Sequence, residues 1–426
     1  MSGFTFSAGN AAKLLSAPLY ALGALATRLT PRNARLWVFG CGSGLGEGAL
    51  ELARHVARAD PKARVVWLGR DEAEVEAARA RGLQAARRAS WRGLRATLRA
   101  GVIVITHGFG DVNRFAVRGA FIVQLWHGIP LKRIQLDASA TFDSPLPLEG
   151  LLRRLYRLAG RNITLMPAAG NISAERLRSA FGLPAERVVV TGDPRDDVLC
   201  RGTATEREFA ARALLAPLLT SQTAGATGTA QHERGVRLVL HAPTWRDGEP
   251  DPVLPTDSEW AAIDAWLERT GSVLLLRPHP HSVGAYAEAA TRSPRVALVD
   301  SEAISDVNTV LAAVDVLITD YSSIAFDFAL TGRPILFLAP DLERYSQTRG
   351  LYEEYHDFSG GMEASDWAAL LDLLERFDRD PATRRLLRDH SERLATRHHA
   401  YRDGRNTDRV YDAIVQRLPE RSGGRA

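Results

Sequence analysis

The segment DVLITDYSSIAFDFALTGRPILFLAPDLERY, residues 315–345, decides the fold that we expect for this chain. Its apolar, β-branched run 316–319 is typical of a buried parallel strand, and the run 335–338 predicts a second one. Between them, residues 324–330 favour a short buried helix that stops before a Gly-x-Pro sequence. The segment therefore predicts a strand, loop, helix and strand. The loop 320–323 would lie at the sheet edge where open α/β folds bind ligands.

This loop carries two adjacent serines, Ser322 and Ser323. One interpretation is that a serine only caps the helix, which is the commonest role of Ser at such a position. Capping accounts for one serine and leaves three polar neighbours, Asp320, Tyr321 and Asp327, unexplained. Since the start of a helix presents unpaired N–H groups, the loop is equally a candidate phosphate site. The local pattern leaves both interpretations open.

The chain has 426 residues, enough for two domains of ordinary size that each bury a core. Its two cysteines, Cys41 and Cys200, lie far apart and lack CxxC spacing, which indicates neither a disulfide framework nor a structural zinc site. We expect a reducing, cytoplasmic setting, because the sequence has no recognisable secretory signal and the first apolar stretch, 14–26, is too short to span a bilayer.

The net charge of +4 conceals an asymmetry between the two halves. Residues 1–200 hold 28 Lys and Arg against 16 Asp and Glu, whereas the remainder holds 26 against 34. The arginine-rich stretch around Trp91 and the apolar segment 13–30 could face anionic lipid head groups, a polyanionic acceptor or nucleic acid. The alternative is a solvated arginine surface beside a packed helix. Nucleic acid is the least favoured partner, because no recognised binding module accompanies the charge.

Residues 36–68 have the pattern of a βαβ unit, with GCGSGLGEG after the first strand. Gly44, Gly46 and Ala49 fit G-x-G-x-x-A, which is typical of nucleotide binding, and GCGSG resembles the first motif of S-adenosylmethionine-dependent methyltransferases. Glycines also occur at this position simply to let a helix pack closely on a strand. These interpretations stay open, although nothing downstream matches a methyltransferase.

Two strands of the first half end in His-Gly, at His107 and at His127. A histidine at the carboxyl end of a strand can act as a general base near neutral pH, although a structural hydrogen bond is its commoner role. His127 is the better candidate, since it lies in the sequence WHGIP and close to Lys132. In the second half, His279 and His281 lack the spacing of HExxH, and we therefore expect no metal site.

The second half repeats one order of elements, an apolar strand followed by a polar loop and a helix. The strands end in HAPTWR at 241–246, in RPHPH at 277–281 and in the serine loop at 320–323. Alternation of strands and helices in both halves predicts an α/β fold with two parallel sheets. Several loop side chains suit phosphate neutralisation, in which arginine makes bidentate contacts. They are Arg195, Arg277, His279, Ser322 and Ser323.

Five segments occur in a specific combination: QLWHGIPLKRI (124–134), AFGLPAERVVVTGDPRDDVL (180–199), HAPTWRD (241–247), RPHP (277–280) and ITDYSSIAFDFALTGRPILFLAPDLERY (318–345). With these segments in this order, the chain resembles the CDP-glycerol glycerophosphotransferase family, the teichoic acid primases and polymerases of bacterial cell-wall synthesis. The resemblance covers residues 36–360. The chain departs from the family pattern at 359–361, where Ser-Gly-Gly replaces a PGP-like turn.

The resemblance implies a GT-B fold, in which two Rossmann-like domains with parallel sheets face each other across a cleft. Residues 1–200 would form an N-terminal, acceptor-side domain with a possible membrane-surface segment. Residues 201–400 would form the C-terminal domain that binds a CDP-polyol donor. Residues 401–426 would form a C-terminal helix and tail.

For the activity, the resemblance implies transfer of glycerol phosphate, or a related polyol phosphate, from CDP-glycerol or another CDP-polyol to an acceptor hydroxyl, with release of CMP. The acceptor would be polyprenyl-linked or a polyol-phosphate polymer, in the synthesis of teichoic acid or of a related surface polymer such as capsule polysaccharide. The enzyme would lie peripherally on the inner face of the cell membrane. No cofactor or metal is implied, since fixed cations and N–H groups can supply the electrostatics.

The resemblance also implies roles for individual residues. His127 would take the proton of the attacking hydroxyl, and His279 would help to hold the charge of the leaving CMP. The substrate-binding residues would be Trp126, Gly128, Ile129 and Pro130 for the polyol phosphate, with Arg195, Pro243, Thr244, Arg277, Pro278, Ser322, Ser323 and Asp327 for the donor.

Other classes of protein are alternatives. A GT-B glycosyltransferase that uses a nucleotide sugar would share the fold and the phosphate contacts, but would release UDP or GDP instead of CMP. A methyltransferase would rest on GCGSG alone and would have to bind S-adenosylmethionine. A non-catalytic binding protein on the same fold is less favoured, because all five segments carry polar loop residues.

Overall fold

The computed structural model of the chain describes residues 16–142, 149–223, 236–246, 251–279 and 282–418. The chain forms two compact units, Met1–Asp197 with His398–Ala426 and Val198–Arg397. Pro280 and His281 of the RPHPH segment lie outside the described residues, as do residues 13–15 of the candidate interfacial helix.

Within the described residues, the N-terminal unit contains seven strands, and its helices are numbered in chain order. The strands are β1 (Asn33–Phe39), β2 (Arg64–Gly69), β3 (Gln84–Arg87), β4 (Ala100–Ile105), β5 (Phe121–Gln124), β6 (Met166–Ala168) and β7 (Val188–Val190). The helices are α1 (Ala17–Leu29), α2 (Glu47–Ala59), α3 (Glu72–Ala80), α4 (Trp91–Arg99), α5 (Glu149–Gly160), α6 (Asn171–Phe181), the boundary helix α7 (Asp197–Cys200) and the C-terminal helix α17 (Asn406–Val415).

The main sheet of this unit is parallel throughout and has the strand order β3-β2-β1-β4-β5. Alternate residues of β1 enter the two faces of the sheet. Trp37 and Phe39 belong to a core cluster with Leu52 of α2, whereas Val38 belongs to a second cluster with Ile103 of β4. Burial on both faces explains why the buried parts of the central strands, such as 36–39 of β1, are continuous apolar runs.

The C-terminal unit contains the remaining elements. Its strands are β8 (Leu238–Ala242), β9 (Val273–Leu276), β10 (Val296–Leu298), β11 (Val316–Thr319), β12 (Ile335–Leu338) and β13 (Glu363–Ala364). Its helices are α8 (Ala204–Thr223), α9 (Asp257–Thr270), α10 (Val283–Ala290), α11 (Asn308–Leu311), α12 (Ile324–Ala329), α13 (Leu342–Arg349), α14 (Tyr355–Ser359), α15 (Trp367–Arg379) and α16 (Pro381–His398). Among the described helices of the whole chain, none is both long enough and apolar enough to cross a membrane.

The sheet of the C-terminal unit is also parallel, in the order β10-β9-β8-β11-β12-β13. Val316 and Ile318 of β11 belong to a core cluster with Trp260 and Leu267 of α9. Two parallel sheets with intervening helices confirm the α/β class that the alternation of elements predicts.

The C-terminal helix α17 is part of the N-terminal unit. The Asp197 carboxylate accepts hydrogen bonds from the N–H groups of Asn406 (2.8 Å) and Thr407 (2.9 Å), which begin this helix. Val410 and Ile414 are buried in the core cluster that includes β1. The helix that the sequence set apart as a separate segment therefore completes the core of the first unit.

Candidate active site

Each main sheet has a topological switch point, where neighbouring strands come from separate parts of the chain and ligands bind beyond the carboxyl ends. In the first sheet this point lies between β1 and β4, which end at the glycine-rich loop 40–46 and at residues 106–108. In the second sheet it lies between β8 and β11, which end at residues 243–246 and 320–323. Loops that the sequence singled out thus lie at the switch point of each sheet.

The first unit brings its two His-Gly histidines together. The rings of His107 and His127 stack with their centroids 4.1 Å apart and their planes 7° apart. On the sequence alone, His107 is the weaker candidate of the two. The stacking makes it a direct neighbour of His127, and we refer to the two residues as the histidine pair.

Trp126, which precedes the pair, has a strained backbone. Its φ of 63° lies in the left-handed region, which is rare for a bulky residue and typically costs about 1–3 kcal/mol. The Trp126 ring lies 4.0 Å from the His127 ring between centroids and packs edge-on against Phe181. Gly128 follows with a φ of 128°, where a side chain would be strained. The sequence WHG therefore holds His127 in a fixed, unusual turn.

Asp111 fixes the backbone of the loop that carries His107. Its buried carboxylate accepts hydrogen bonds from the N–H groups of Thr106 (2.8 Å), His107 (2.7 Å) and Gly108 (3.3 Å). The Thr106 hydroxyl lies 2.8 Å from Nδ1 of His107. Asp111 belongs to none of the motifs identified in the sequence, because its role is to accept hydrogen bonds from backbone N–H groups of the folded loop.

The surroundings of His127 favour its neutral form. Burial lowers the pKa of its imidazole well below the usual value of 6.5, and electrostatic interactions with His107 and Arg195 lower it further. Nδ1 of His127 is buried and has no hydrogen-bond partner among the described residues. A neutral imidazole with a ring nitrogen available is the form that accepts a proton as a general base.

Arg195 and the end of the WHGIP sequence have structural contacts in the N-terminal unit. The Arg195 guanidinium donates to the carbonyl oxygen of His127. Arg176 donates to the carbonyl oxygen of Pro130 at 2.6 Å, and Ile129 is buried. The sequence grouped Arg195 with the donor-binding residues, whereas the structure places it at the histidine pair.

The glycine-rich loop after β1 packs against His107. A Cβ atom on Gly42 would lie 2.5 Å from Cγ of His107, and one on Gly44 would lie 2.9 Å from the Arg70 guanidinium. Gly44 also has a φ of 110°. Close packing against side chains and backbone conformation therefore account for Gly42 and Gly44 within the protein.

In the second unit, Asp320 of the serine loop belongs to a buried ionic cluster. Arg246 donates through Nη1 to Asp320 (2.9 Å) and through Nε and Nη2 to Asp341 (2.8 and 2.9 Å). Asp320 also accepts from the N–H groups of Thr244 (2.9 Å) and Tyr321 (2.6 Å). We refer to Asp320, Arg246 and Asp341 as the ionic triad. It ties together the loops that follow β8, β11 and β12.

Aromatic rings cover the ionic triad. Tyr321 and Tyr345 stack with centroids 3.9 Å apart, and the Arg246 guanidinium lies 5.0 and 4.9 Å from their centroids. The Tyr321 hydroxyl donates to Asp341 at 3.0 Å, and the Tyr355 hydroxyl donates to the carbonyl oxygen of Asp320 at 3.1 Å. Asp320 and Tyr321, which had no structural reason in the sequence, are therefore part of the support of the serine loop.

The two serines lie at the start of α12 and are partly exposed. Ser322 Oγ accepts a long hydrogen bond of 3.4 Å from the N–H of Ile324, while Ser323 makes no side-chain capping bond. Capping thus accounts weakly for Ser322 and does not account for Ser323. Helix α12 has six residues and buries Asp327. Because the helix is so short, the hydroxyl groups are the stronger candidates for a phosphate contact.

The remaining predicted donor residues lie on the loops after β8 and β9. Pro243, Thr244 and Pro278 are buried, and Thr244 Oγ has no hydrogen-bond partner among the described residues. The His279 ring is exposed and stacks on Trp245, with centroids 5.5 Å apart.

Arg277 is engaged with the protein backbone. Its Nη1 donates to the carbonyl oxygens of Val299 (3.0 Å), Asp300 (2.5 Å) and Ile304 (2.5 Å). The sequence predicted a bidentate phosphate contact for this arginine. In the structure, Nη1 of this guanidinium instead holds the loop after β10 by hydrogen bonds.

Two groups of residues in the structure were not predicted from the sequence. Arg246 stands in a quoted segment and Asp341 follows β12, but nothing in their spacing shows that they pair. Cys41, Glu47 and His107 place one donor atom each within 4.8 Å of one another, although they follow two different strands, β1 and β4, and lack any motif spacing. Only the proximity of β1 and β4 in the sheet brings these last residues together.

Comparison with known proteins identifies the family. A family model described as CDP-Glycerol:Poly(glycerophosphate) glycerophosphotransferase matches residues 30–416. The teichoic acid ribitol-phosphate polymerase TarK of Staphylococcus aureus (strain NCTC 8325 / PS 47) is 27% identical over 304 residues, which cover 70% of this chain and 52% of TarK. The teichoic acid glycerol-phosphate transferase of the same strain is 28% identical over 268 residues, covering 60% of this chain and 62% of that protein. The chain thus spans about half the length of TarK.

A solved structure agrees with the fold. A variant of the wall teichoic acid polymerase TagF soaked with CDPG matches with a TM-score of 0.74 at 20% identity, covering 94% of this chain and 92% of that chain. At this identity the match bears on the fold alone, and it confirms the GT-B-like class that the sequence implied.

Proposed function

This chain belongs to the CDP-glycerol:poly(glycerophosphate) glycerophosphotransferase family, and on that premise we propose that it transfers glycerol phosphate, or a related polyol phosphate, from a CDP-polyol to an acceptor hydroxyl and releases CMP. The acceptor is a lipid-linked or polymeric precursor of teichoic acid or of a related surface polymer such as capsule polysaccharide. The observation that carries the proposal is the histidine pair at the switch point of the N-terminal sheet, with a neutral His127 held in a strained turn.

In the proposed reaction, His127 is the general base. The acceptor hydroxyl gives its proton to the imidazole while its oxygen forms a new bond to the phosphorus that bears the polyol. The bond from that phosphorus to the oxygen of CMP breaks, and the electron pair leaves with CMP. The lowered pKa means that the ring is unprotonated at neutral pH, which is the form that can accept the proton. Arg195 and Trp126 fix the position of the imidazole.

The C-terminal unit binds the donor in this proposal. The hydroxyl groups of Ser322, Ser323 and Thr244 donate to the diphosphate, and His279 donates to the charge that develops on CMP. The buried, unpartnered Thr244 Oγ supports this assignment, since a buried polar group without a partner usually has one in the liganded state. Arg277 acts mainly by holding the 299–304 loop and by its positive charge.

CMP release from a panel of CDP-polyols with a lipid-linked acceptor analogue tests the proposal. We expect CMP from CDP-glycerol or CDP-ribitol, and a fall in kcat of about 10²- to 10⁴-fold for His127→Ala with donor affinity largely kept. His356→Ala, at an exposed histidine of the C-terminal unit, is the matched control. Release of UDP or GDP from nucleotide sugars in place of CMP would favour the glycosyltransferase alternative, and an unchanged rate for His127→Ala would exclude His127 as the base.

A lipid-linked acceptor requires access to a membrane, and we assign this contact to α1. Four leucines of α1 are exposed, among them Leu22 (64%) and Leu29 (75%), and the helix carries Arg28 in its last turn. Helix α1 packs against α4, whose Trp91 is also exposed. An apolar helix face beside basic and aromatic side chains is typical of helices that lie in an anionic lipid interface. The chain would then act in the cytoplasm, peripherally on the inner face of the membrane.

Vesicle sedimentation tests this contact. We expect the chain to sediment with phosphatidylglycerol vesicles more than with phosphatidylcholine vesicles, and the double variant Leu22→Glu, Leu25→Glu to lose most of the bound fraction. Phe209→Glu, at an exposed apolar residue of the C-terminal unit, is the control. Equal binding by the α1 variant and the control would refute the assignment without affecting the proposal for the reaction, since CMP release with a soluble acceptor does not depend on it.

A further inference from the structure

Three residues with different metal-ligating atoms meet at the carboxyl ends of β1 and β4. Cys41, Glu47 and His107 each offer one ligand atom, and these atoms lie within 4.8 Å of one another. Cys41 Sγ lies 3.8 Å from Glu47 Oε2. Thiolate, carboxylate and imidazole are the three donor types that zinc accepts, and three protein donors leave one tetrahedral position for a ligand from solution.

The fold holds Glu47 in this position against a conformational cost. Glu47 is the first residue of α2 and has a φ of 55°, a left-handed conformation that is uncommon outside glycine. Such strain persists only where the surroundings over-determine it, and it concentrates at functional sites. From this position the Glu47 carboxylate faces the buried Cys41 Sγ, so that two ligand groups from opposite ends of the loop after β1 lie side by side.

The other two donors are oriented by neighbouring groups, as the ligands of protein metal sites usually are. The Thr106 hydroxyl donates toward Cys41 Sγ at 3.2 Å and lies 2.8 Å from Nδ1 of His107. Ser43 Oγ lies 2.9 Å from Cys41 Sγ. Gly42 lets the loop pass directly against the imidazole, since a Cβ atom there would lie 2.5 Å from Cγ of His107.

We propose that Cys41, Glu47 and His107 bind a divalent transition-metal ion, zinc in first place. The two cysteines of the chain lack any metal-binding spacing, so the donor set becomes visible only when β1 and β4 lie side by side. The site shares His107 with the histidine pair. Metal binding is nevertheless measured without donor or acceptor, so its test can fail independently of the proposed transfer reaction.

Cobalt(II) titration of the full chain tests the site, since cobalt replaces zinc at tetrahedral sites and gives a thiolate-to-metal charge-transfer band. We expect this band to saturate at one equivalent and to disappear when zinc is added. The band should be lost in Cys41→Ser and kept in Cys200→Ser, which removes the other thiol. Absence of the band in the wild-type chain, or an equal band in Cys41→Ser, would overturn the proposal.

Two variants keep the test independent of the buried cysteine. Glu47→Gln should weaken cobalt binding at least tenfold, because a neutral amide replaces an anionic ligand. Gly42→Ala keeps every donor atom but displaces the His107 ring, and it should also weaken binding. Zinc at one fixed concentration should raise the Tm of the wild-type chain and of Cys200→Ser more than that of Glu47→Gln. Unaltered affinity in both Glu47→Gln and Gly42→Ala would overturn the assignment of the ligands.

Discussion

Replacing Arg246 with methionine should destabilise the C-terminal unit and loosen the serine loop. The Arg246 side chain is 6% exposed and that of Asp320 is 1% exposed. Arg246 donates to Asp320 at 2.9 Å and to Asp341 at 2.8 and 2.9 Å. Methionine keeps much of the apolar stem, but it leaves both carboxylates without their cation.

The expected cost follows from how unequally the two carboxylates are buried. Removing one partner of a buried ion pair typically costs about 3–5 kcal/mol, because an uncompensated charge remains in the interior. Asp320 bears most of this cost, since it keeps only N–H donors such as those of Thr244 and Tyr321. Asp341 is 18% exposed, and water reduces its share. A loss of about 3–5 kcal/mol corresponds to a roughly 150- to 4,000-fold increase in the opening equilibrium.

Hydrogen exchange followed by mass spectrometry measures this opening in peptides from β8 and β11. Buried strands of this kind exchange by global or near-global opening of their unit. Arg292→Met is the matched control, because its ion pair with Asp257 has side chains that are 44% and 89% exposed. An exposed pair contributes about 0–1 kcal/mol, so the control should change exchange in β8 and β11 little.

The reasoning would be refuted if Arg246→Met and Arg292→Met changed exchange in β8 and β11 equally. A second variant tests the cause of the effect. Adding Asp341→Asn to Arg246→Met removes one of the two stranded charges, so protection of β11 should partly recover. A further loss of protection would show that hydrogen bonds, and not charge, dominate the triad.

Three other results are expected. Thr244→Val should change the free energy of unfolding by less than about 1 kcal/mol, since Thr244 Oγ has no hydrogen bond to lose. Calorimetry should nevertheless show weaker binding of CDP-glycerol to this variant. Unchanged affinity would remove Thr244 from the donor site. The acid limb of the kcat profile against pH should lie below pH 6.5, because burial and nearby positive charges lower the pKa of His127. Lys132→Gln removes one of these charges and should therefore shift the acid limb to higher pH. A shift of the limb to lower pH would contradict the assignment of His127. Asp197→Ala should lower protection of the first turn of α17 by about 0.5–2 kcal/mol, with no change if the cap is unimportant.

The central strands are the part of the fold that the sequence predicts best. The runs 316–319 and 335–338 agree with the observed bounds of β11, Val316–Thr319, and β12, Ile335–Leu338. Apart from Thr319 at the end of β11, both strands are apolar, because helices or neighbouring chain cover both faces of a parallel sheet. The edge strands β3 and β13 have the sequences QAAR and EA, which carry no such signal. They form because the neighbouring strand offers its backbone groups, which is a tertiary effect.

The site was predictable where one loop carries its own signal, and not where distant residues combine. The Asp320 and Tyr321 of the serine loop stood out in the sequence as polar residues among apolar ones. The explanation lies in Arg246, 74 positions earlier, and in Asp341 after the next strand. A single sequence shows each of these residues but gives no measure of their pairing. The same limit applies to His107, whose stacking on His127 depends on the adjacency of β4 and β5.

The glycine-rich loop shows how a motif can be correct in position and uninformative about the ligand. GCGSG follows the first strand of a parallel sheet and opens a helix, as a nucleotide-binding loop does. Here Gly42 makes room for His107, and Gly44 has a φ of 110° next to Arg70. Packing and backbone conformation within the protein thus account for Gly42 and Gly44. What the motif leaves unexplained is the strained Glu47 at its end, and a cation held between that carboxylate, Cys41 and His107 would account for it.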